Sequence, residues 1–185
     1  MKYIGTKRLE TERLVLRKVE ETDYKYAFNN WCNSNNVAKY VLWNKHNNIE
    51  VTKELYSKWI EDYNDNKTFR WIVELKDSKE VIGTIDVSKK FIDYGTCEIG
   101  YCYGEKYWNK GYATEVLREV IRFLFEECEA DTIFAEYLVN NIASGKVMEN
   151  AHMKYEGRLR SRVIDNDGVR NDLDVYSITK DEYFN

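Results

Sequence analysis

Two hydrophobic rhythms run along this chain. Short runs in which apolar residues recur at every second position predict strands, and longer runs with apolar residues three to four apart predict helices. Residues 11–17 alternate Leu14 and Leu16 with polar neighbours and continue to Val19, predicting a first strand. Thr22-Asp23 offers an N-cap for a helix through Tyr26, Ala27 and Phe28. Residues 49–63 place Val51, Leu55, Trp59 and Tyr63 at helical spacing. Residues 68–75 and 81–87 read as strands joined by the turn Lys76-Asp77-Ser78-Lys79. A turn near Asp93-Tyr94-Gly95 leads to a third strand, 98–103, so the three form a meander ended by Gly104.

Next, Ala113, Val116, Leu117, Val120, Ile121 and Leu124 mark one face of a long helix. A strand over 131–139 follows, then a helix capped by Asn141 that runs through Val147 and Met148 to Ala151. Residues 153–162, the turn Asp165-Asn166-Asp167-Gly168 and a last strand over 172–178 complete the pattern, with Tyr183-Phe184 nearby. The order is β–α–α–β–β–β–α–β–α–β–β. The strand–helix–strand run from 98 to 138 requires a right-handed crossover. The fold class is therefore α/β, a mixed sheet with helices on both faces. No internal repeat or low-complexity linker divides the chain, which implies one domain over residues 1–185.

The junction between the third strand and the long helix carries the first chemical signal. Trp108-Asn109-Lys110-Gly111-Tyr112-Ala113-Thr114 puts Gly111 and Ala113 at the helix mouth, where small residues let backbone amides approach a ligand. The first amides of a helix lack intrahelical partners, and its dipole favours an anion by about 0.3–1 kcal/mol. The stretch can cradle a phosphate, with Lys106 and Lys110 adding positive charge; an ordinary strand–Gly–helix junction would look the same. Neither the nucleotide P-loop nor the dinucleotide Gly-x-Gly-x-x-Gly pattern occurs.

Composition narrows the possibilities. With 185 residues, 43% hydrophobic and 32% charged, the chain can bury a real core. A net charge of −4 argues against a nucleic-acid scaffold, and the basic cluster Arg158, Arg160, Arg162 and Arg170 reads as a solvated strand edge. Cys32, Cys97, Cys102 and Cys128 include no Cys-x-x-Cys pair, and His46 and His152 lie far apart, so no metal site is expected. Four such cysteines behind a charged N-terminus with no apolar leader suggest reduced thiols and a cytoplasmic location. No run approaches the length of a membrane span.

Three blocks resemble the GCN5-related N-acetyltransferases (GNAT), in the branch that contains the ribosomal-protein-alanine N-acetyltransferases. Thr11-Glu12-Arg13-Leu14-Val15-Leu16-Arg17 resembles the opening strand. Ile99-Gly100-Tyr101 followed by Tyr107-Trp108-Asn109-Lys110-Gly111-Tyr112-Ala113-Thr114-Glu115 resembles the acetyl-CoA motif. Residues 141–150 with 153–160 resemble the next helix and strand. The resemblance implies a mostly antiparallel central sheet with a splayed parallel pair. Ile99, Gly100, Tyr101, Cys102 and Tyr103 would lie along the pantetheine arm of acetyl-CoA, and the amides from Trp108 to Thr114 would hold its pyrophosphate. Asn141 and Ser144 would face the pantetheine and the sulfur. Four positions depart from the wider family. Met148 stands where many members have a tyrosine that protonates the leaving thiolate, which leaves Ser144 as donor. Asn150 replaces a basic residue, and His152 replaces a glycine; it reads as part of a surface turn, with a titratable group at the site as the alternative. Trp108, where the superfamily prefers Gln or Arg, is at home in this branch.

The chemistry asks for a neutral amine, a polarised carbonyl and a stabilised thiolate. Neutralising a lysine amine at pH 7 costs about 4.6 kcal/mol, an α-amine only about 1–1.4 kcal/mol. An N-terminal or low-pKa amine therefore needs little more than a base acting through water. Glu98 is the candidate base, with an ordinary cross-strand pair as its bland alternative. A backbone N–H near Tyr101 or Cys102 would polarise the carbonyl. Direct transfer needs no cysteine, so Cys97 and Cys102 read as buried structural thiols. The expected activity is acetyl transfer from acetyl-CoA to a primary amine, a protein N-terminus or a small molecule, by a monomer or homodimer with no membrane or nucleic-acid partner. The alternatives are a non-catalytic acyl-CoA sensor of the same fold and, further off, an unrelated phosphate-binding protein. Acceptor residues are expected between Trp31 and Tyr63, with Tyr40 and Trp43 at the mouth.

Overall fold

The first alternating run folds back on itself. Strand β1 (Leu9–Glu10) pairs antiparallel with β2 (Leu14–Arg17), and the Leu14 amide donates to the Thr11 hydroxyl at 3.1 Å to close the turn. The expected strand over 11–17 therefore starts only at Leu14, because residues 11–13 are used in the turn. The computed structural model describes residues 1–185. After β2 come helix α1 (Asp23–Ala27), which runs into a π turn over 28–32, and helices α2 (Asn35–Ala38) and α3 (Ile49–Glu61). The meander follows as β3 (Arg70–Leu75), β4 (Val81–Ser88) and β5 (Thr96–Tyr103). Helix α4 (Tyr112–Glu126) crosses to β6 (Thr132–Leu138); α5 (Ile142–Asn150), β7 (Lys154–Ile164), β8 (Arg170–Thr179) and α6 (Lys180–Phe184) complete the chain.

The eight strands form one sheet in the order β1-β2-β3-β4-β5-β6-β8-β7. All neighbours are antiparallel except β5 and β6, the pair linked by the α4 crossover. Helix α4 packs its apolar stripe (Val116, Leu117, Val120, Phe123 and Leu124) into a core with Leu14, Leu16, Trp71 and Ile133. The Phe123 ring meets Trp71 edge-on at 5.7 Å. The opposite face holds a smaller cluster in which Trp31 and Tyr56 cover Ile72. Helices thus cover both faces, as the two rhythms require.

Local departures from the expected pattern have local causes. Thr22 makes no side-chain cap; Asp23 organises the turn instead, accepting from the Glu20 amide at 2.7 Å and from both terminal nitrogens of Arg17 at 2.8 and 2.9 Å. In α3 the buried residues are Thr52 and Tyr56, while Val51 is 48% exposed, so the stripe is rotated by about one residue from the expected one. Helices α2 and α6 are too short to give a period. The basic cluster lies along β7 and β8 at the sheet edge; Arg158 pairs with Asp174 at 2.7 Å, and the four residues are exposed. All four cysteines are free, and burial pushes the Cys32, Cys97 and Cys128 thiols up to about 12.

His152 follows the end of α5 and adopts a left-handed backbone, φ 66°. Its side chain is exposed and does not line the cleft described below. The position is where a helix commonly ends on glycine, which explains why the family pattern has one there. A side chain in this conformation costs up to about 1–2 kcal/mol, partly offset because glycine makes the unfolded chain more flexible. His152→Gly is therefore expected to raise the urea midpoint by an amount equivalent to at most about 1 kcal/mol, with unchanged slope and unchanged turnover. Loss of activity in a stably folded His152→Gly protein would return the histidine to the site.

Candidate active site

The sheet forks between β5 and β6. They pair in parallel only through Thr96–Thr132, Cys97–Ile133 and Glu98–Phe134. Beyond that, β5 stays on β4 up to Tyr103 and β6 stays on β8 up to Leu138, so the facing edges part. Antiparallel pairing alternates bonded and non-bonded positions, and the bond from the Gly104 amide to the Ile82 carbonyl (3.0 Å) sets the phase. Cys102 accordingly points its amide at β4, while the amide and carbonyl of Tyr101 and the amide of Tyr103 face the gap. Of the two amides considered for polarising a carbonyl, the one at Tyr101 is free. The Tyr103 carbonyl also faces the gap and accepts from the Trp108 indole N–H at 2.8 Å.

A cleft of about 750 Å³ runs through the fork. Ile99 to Tyr103 form one wall and Glu136 and Tyr137 the other. One end opens on the loop before α4, where Trp108, Asn109 and Gly111 to Thr114 line the cleft. Asn109 and Gly111 both have left-handed backbones, φ 59° and 79°, which fold the loop into a concave turn of amides. No side chain caps α4, and its first recurrent bond is Glu115 N–H to the Gly111 carbonyl, so the preceding amides are free for a ligand. A Cβ built on Gly111 would lie 3.4 Å from Arg13 Nη2.

Lys146 is the cation that lines the cleft, and a further one, Arg13, lies beside the loop. Lys106 is held by Glu80, and neither Lys106 nor Lys110 lines the cleft. Arg13 comes instead from the β1–β2 turn: it bonds Glu115 through Nε at 2.7 Å, donates to the Lys110 carbonyl at 3.0 Å and stacks over the Tyr112 ring. Burial pushes the Glu115 carboxyl up, but hydrogen bonds from the Thr11 hydroxyl and from Arg13 outweigh it and leave it below its usual range. The first block of the sequence thus serves to brace the loop of the second.

At the α5 end, Asn141 Oδ1 accepts from the Ser144 amide at 3.4 Å and fixes the first turn. Asn141 and Ser144 both line the cleft. Tyr101 reaches across the fork to Ser144, its hydroxyl 2.9 Å from Ser144 Oγ and 3.2 Å from the Ser144 carbonyl. Buried Met148 lines the same wall.

The carboxylates divide. Glu98 sits at the closed end of the fork, on the last parallel pair, and is not part of the cleft lining. Glu136, two residues past that pair on β6, does line it. Burial holds the Glu136 carboxyl above its usual range, and the Glu98 charge pushes it the same way. Sequence reasoning passed over Glu136; a single acidic residue inside an apolar strand was the available signal. Val37, Tyr40 and Val41 form a rim that meets the α4 loop where the Tyr40 ring lies edge-on to Trp108 at 6.0 Å, while Trp43 packs on His46. The rim is tied down from a distance: Asn166, in the β7–β8 turn, donates to the carbonyls of Ala38, Val41 and Trp43 at 2.9–3.3 Å. No group of three or more His, Cys, Asp or Glu side chains is placed to hold a metal ion. No helix is long and apolar enough to cross a membrane.

A fork of this kind, with an amide-lined helix mouth at one end, defines an acyl-CoA-dependent transferase. Residues 13–154 match the family model described as an acetyltransferase (GNAT) domain, and the chain belongs to that family. It is an N-acetyltransferase, and the donor used by the family is acetyl-CoA. Among relatives, the uncharacterized N-acetyltransferase YoaA of Bacillus subtilis is 32% identical over 173 residues, 93% of this chain and 96% of its own. The [ribosomal protein uS5]-alanine N-acetyltransferase of Escherichia coli is 27% identical over 164 residues, 81% of this chain and 79% of its own. A solved GNAT-family acetyltransferase from Bacillus anthracis superposes with a TM-score of 0.84 at 27% identity, covering 95% of this chain and 100% of that one.

The cradle at Gly111 is open to test. Coenzyme A at 100 times its dissociation constant should stabilise the wild-type protein by about 2.7 kcal/mol. Gly111→Asp, which adds bulk and negative charge at the helix mouth, is expected to lose that ligand-induced shift while remaining folded. An undiminished shift would remove the loop as the pyrophosphate site.

Proposed function

We propose that residues 1–185 act as one catalytic unit that moves an acetyl group directly from acetyl-CoA to a primary amine, either a protein N-terminus or a small molecule. The observation that carries this reading is the fork itself. It leaves backbone amides and a carbonyl of β5 unclaimed by any strand, and the Tyr103 hydroxyl is buried without a partner. Buried polar groups of this kind need partners. The amide-bearing pantetheine arm supplies them, while the α4 loop takes the pyrophosphate.

Residue roles follow from position. The Tyr101 amide polarises the acetyl carbonyl. Glu136 accepts the proton released by the amine, directly or through water, with Glu98 behind it. Ser144 hydrogen-bonds the departing thiolate, whose pKa near 8.5 makes a full proton donor helpful rather than essential. Three thiols are pushed by burial far above neutrality and Cys102 is raised as well, which favours direct attack over an acyl-cysteine. One half-buried carboxylate with a modest driving force suits an amine of low pKa better than a lysine side chain. The resemblance to a ribosomal-protein-alanine N-acetyltransferase points the same way.

Thiol release should be measured with N-terminal peptides, lysine peptides, amino acids and polyamines. Release with one or more amines, fastest with an α-amine, is expected. Coenzyme A binding without release on any amine would overturn the reading. Because Glu136 works deprotonated and its pKa is raised, kcat/KM should rise with pH along a limb lying above the ordinary glutamate range. Glu136→Gln should abolish that limb and slow turnover by about 100-fold. Glu98→Gln should shift the limb to lower pH, because removing its charge eases ionisation of Glu136. If Glu98→Gln suffers the large loss instead, the base is Glu98. Asn166→Ala should raise KM for the acceptor several-fold and leave KM for acetyl-CoA unchanged; equal effects on both would show that the rim does not bind the acceptor.

A further inference from the structure

Helix α5 offers the leaving group little. Its Met148 has no proton to donate, and Ser144 is a single hydroxyl in the first turn. A second hydroxyl reaches this corner from the opposite wall. The Tyr101 hydroxyl lies 2.9 Å from Ser144 Oγ, and Tyr101 is the one β5 side chain that hydrogen-bonds across the fork. Its single proton has two acceptors on the same serine, Oγ at 2.9 Å and the carbonyl at 3.2 Å, and the contact to Oγ is the shorter. Its own backbone amide faces the gap. One residue of β5 therefore addresses both the carbonyl carbon's oxygen, through its amide, and the serine, through its side chain.

We propose that Tyr101 is a positioning residue for thiolate departure: its O–H donates to Ser144 Oγ and so directs the serine O–H towards the sulfur. This rests on the acetyl-transfer reading above. In the step itself the amine nitrogen forms a bond to the acetyl carbon, the carbon–sulfur bond breaks, and its electron pair stays on sulfur. The amine proton goes to Glu136. Ser144 and Tyr101 keep their protons and lend hydrogen bonds, which strengthen one another when linked in a chain away from water. Burial raises the Tyr101 phenol above its ordinary value, with a hydrogen bond to Ser144 opposing it, so the group stays protonated and able to donate. A tyrosine on β5 thereby compensates for the methionine on α5.

The test is a double-mutant cycle on the full chain, read by thiol release and by coenzyme A affinity. Tyr101→Phe keeps the ring and removes only the hydroxyl. It is expected to lower kcat about tenfold or more, the scale of a lost hydrogen bond to a charged group, with KM for acetyl-CoA and coenzyme A affinity within about twofold of wild type. In a Ser144→Ala background the same substitution should cost nothing further, because Tyr101 acts through Ser144. In a Ser144→Thr background, which keeps a hydroxyl, the tenfold cost should return. A Tyr101→Phe protein with wild-type kcat, or equal losses with and without the serine hydroxyl, would overturn the proposal; so would a loss confined to coenzyme A affinity, which is the mark of a purely structural contact. If wild-type protein releases no thiol from any amine, the acetyl-transfer reading fails and the proposal falls with it. An active wild type with additive losses defeats the proposal alone.

Discussion

Two strands that part company must leave backbone groups without partners, and a folded chain tolerates that only where something else can pair with them. Between β5 and β6 three residue pairs hold the strands together, and then each strand follows its other neighbour. Everything chemical in this molecule is arranged around that gap. The Tyr101 amide and carbonyl have no strand to bond, Trp108 closes off one carbonyl, and Tyr103 contributes a buried unpaired hydroxyl. The arrangement trades sheet continuity for a polar slot that an extended amide-bearing cofactor can complete.

The surroundings line that slot with groups of different character. At one end α4 begins without a side-chain cap, and the concave loop before it presents amides, so the end is built for an anion. Arg13 and Glu115 brace the loop, which ties the first hairpin of the chain to the mouth of the fourth helix. The rim of Val37, Tyr40 and Val41 is apolar and aromatic and meets that loop at Trp108, 6.0 Å from the Tyr40 ring, while Glu136 lines another part of the cleft wall. Asn166 fastens that rim from the β7–β8 turn, 120 or more residues away in sequence. The loop before α4 is thus set mainly by one contiguous strand–loop–helix segment with Arg13 as its brace, whereas the rim is held by a residue far along the chain.

Proton handling has the same divided character. Partial burial raises the Glu136 carboxyl above its usual range, and the Glu98 charge pushes it the same way. Burial also silences the thiols, which would otherwise compete as nucleophiles. The same low-dielectric environment therefore makes one group more reactive in its role and others less so. The hydroxyl pair of Tyr101 and Ser144 spans the fork at the point where β5 and α5 approach each other, so it also ties the two walls together.

Much of this protein can be read directly from its sequence, because its information is local. Period-two and period-3.6 runs define the meander, the α4 crossover and both-face helix packing. Gly111 beside Ala113 marks the helix mouth, and Asn141 marks the α5 cap, since turn and cap chemistry depend on the few residues that make them. The boundaries that moved also moved for local reasons: Thr11 to Arg13 are used in a turn, and Asp23 rather than Thr22 anchors α1. What the tertiary structure alone decided is which side chains share the cleft. Along the strands Glu98 draws attention and Glu136 is passed over, and only the point where β5 and β6 separate puts Glu98 at the closed end and Glu136 in the cleft lining. Lys106 and Lys110 are close to the loop in sequence, while Arg13, 97 residues from Lys110, reaches the same loop only through the fold. The reach of Tyr101 to Ser144, and of Asn166 to the rim, depends on pairings across 43 and more than 120 residues, and no local pattern encodes such distances.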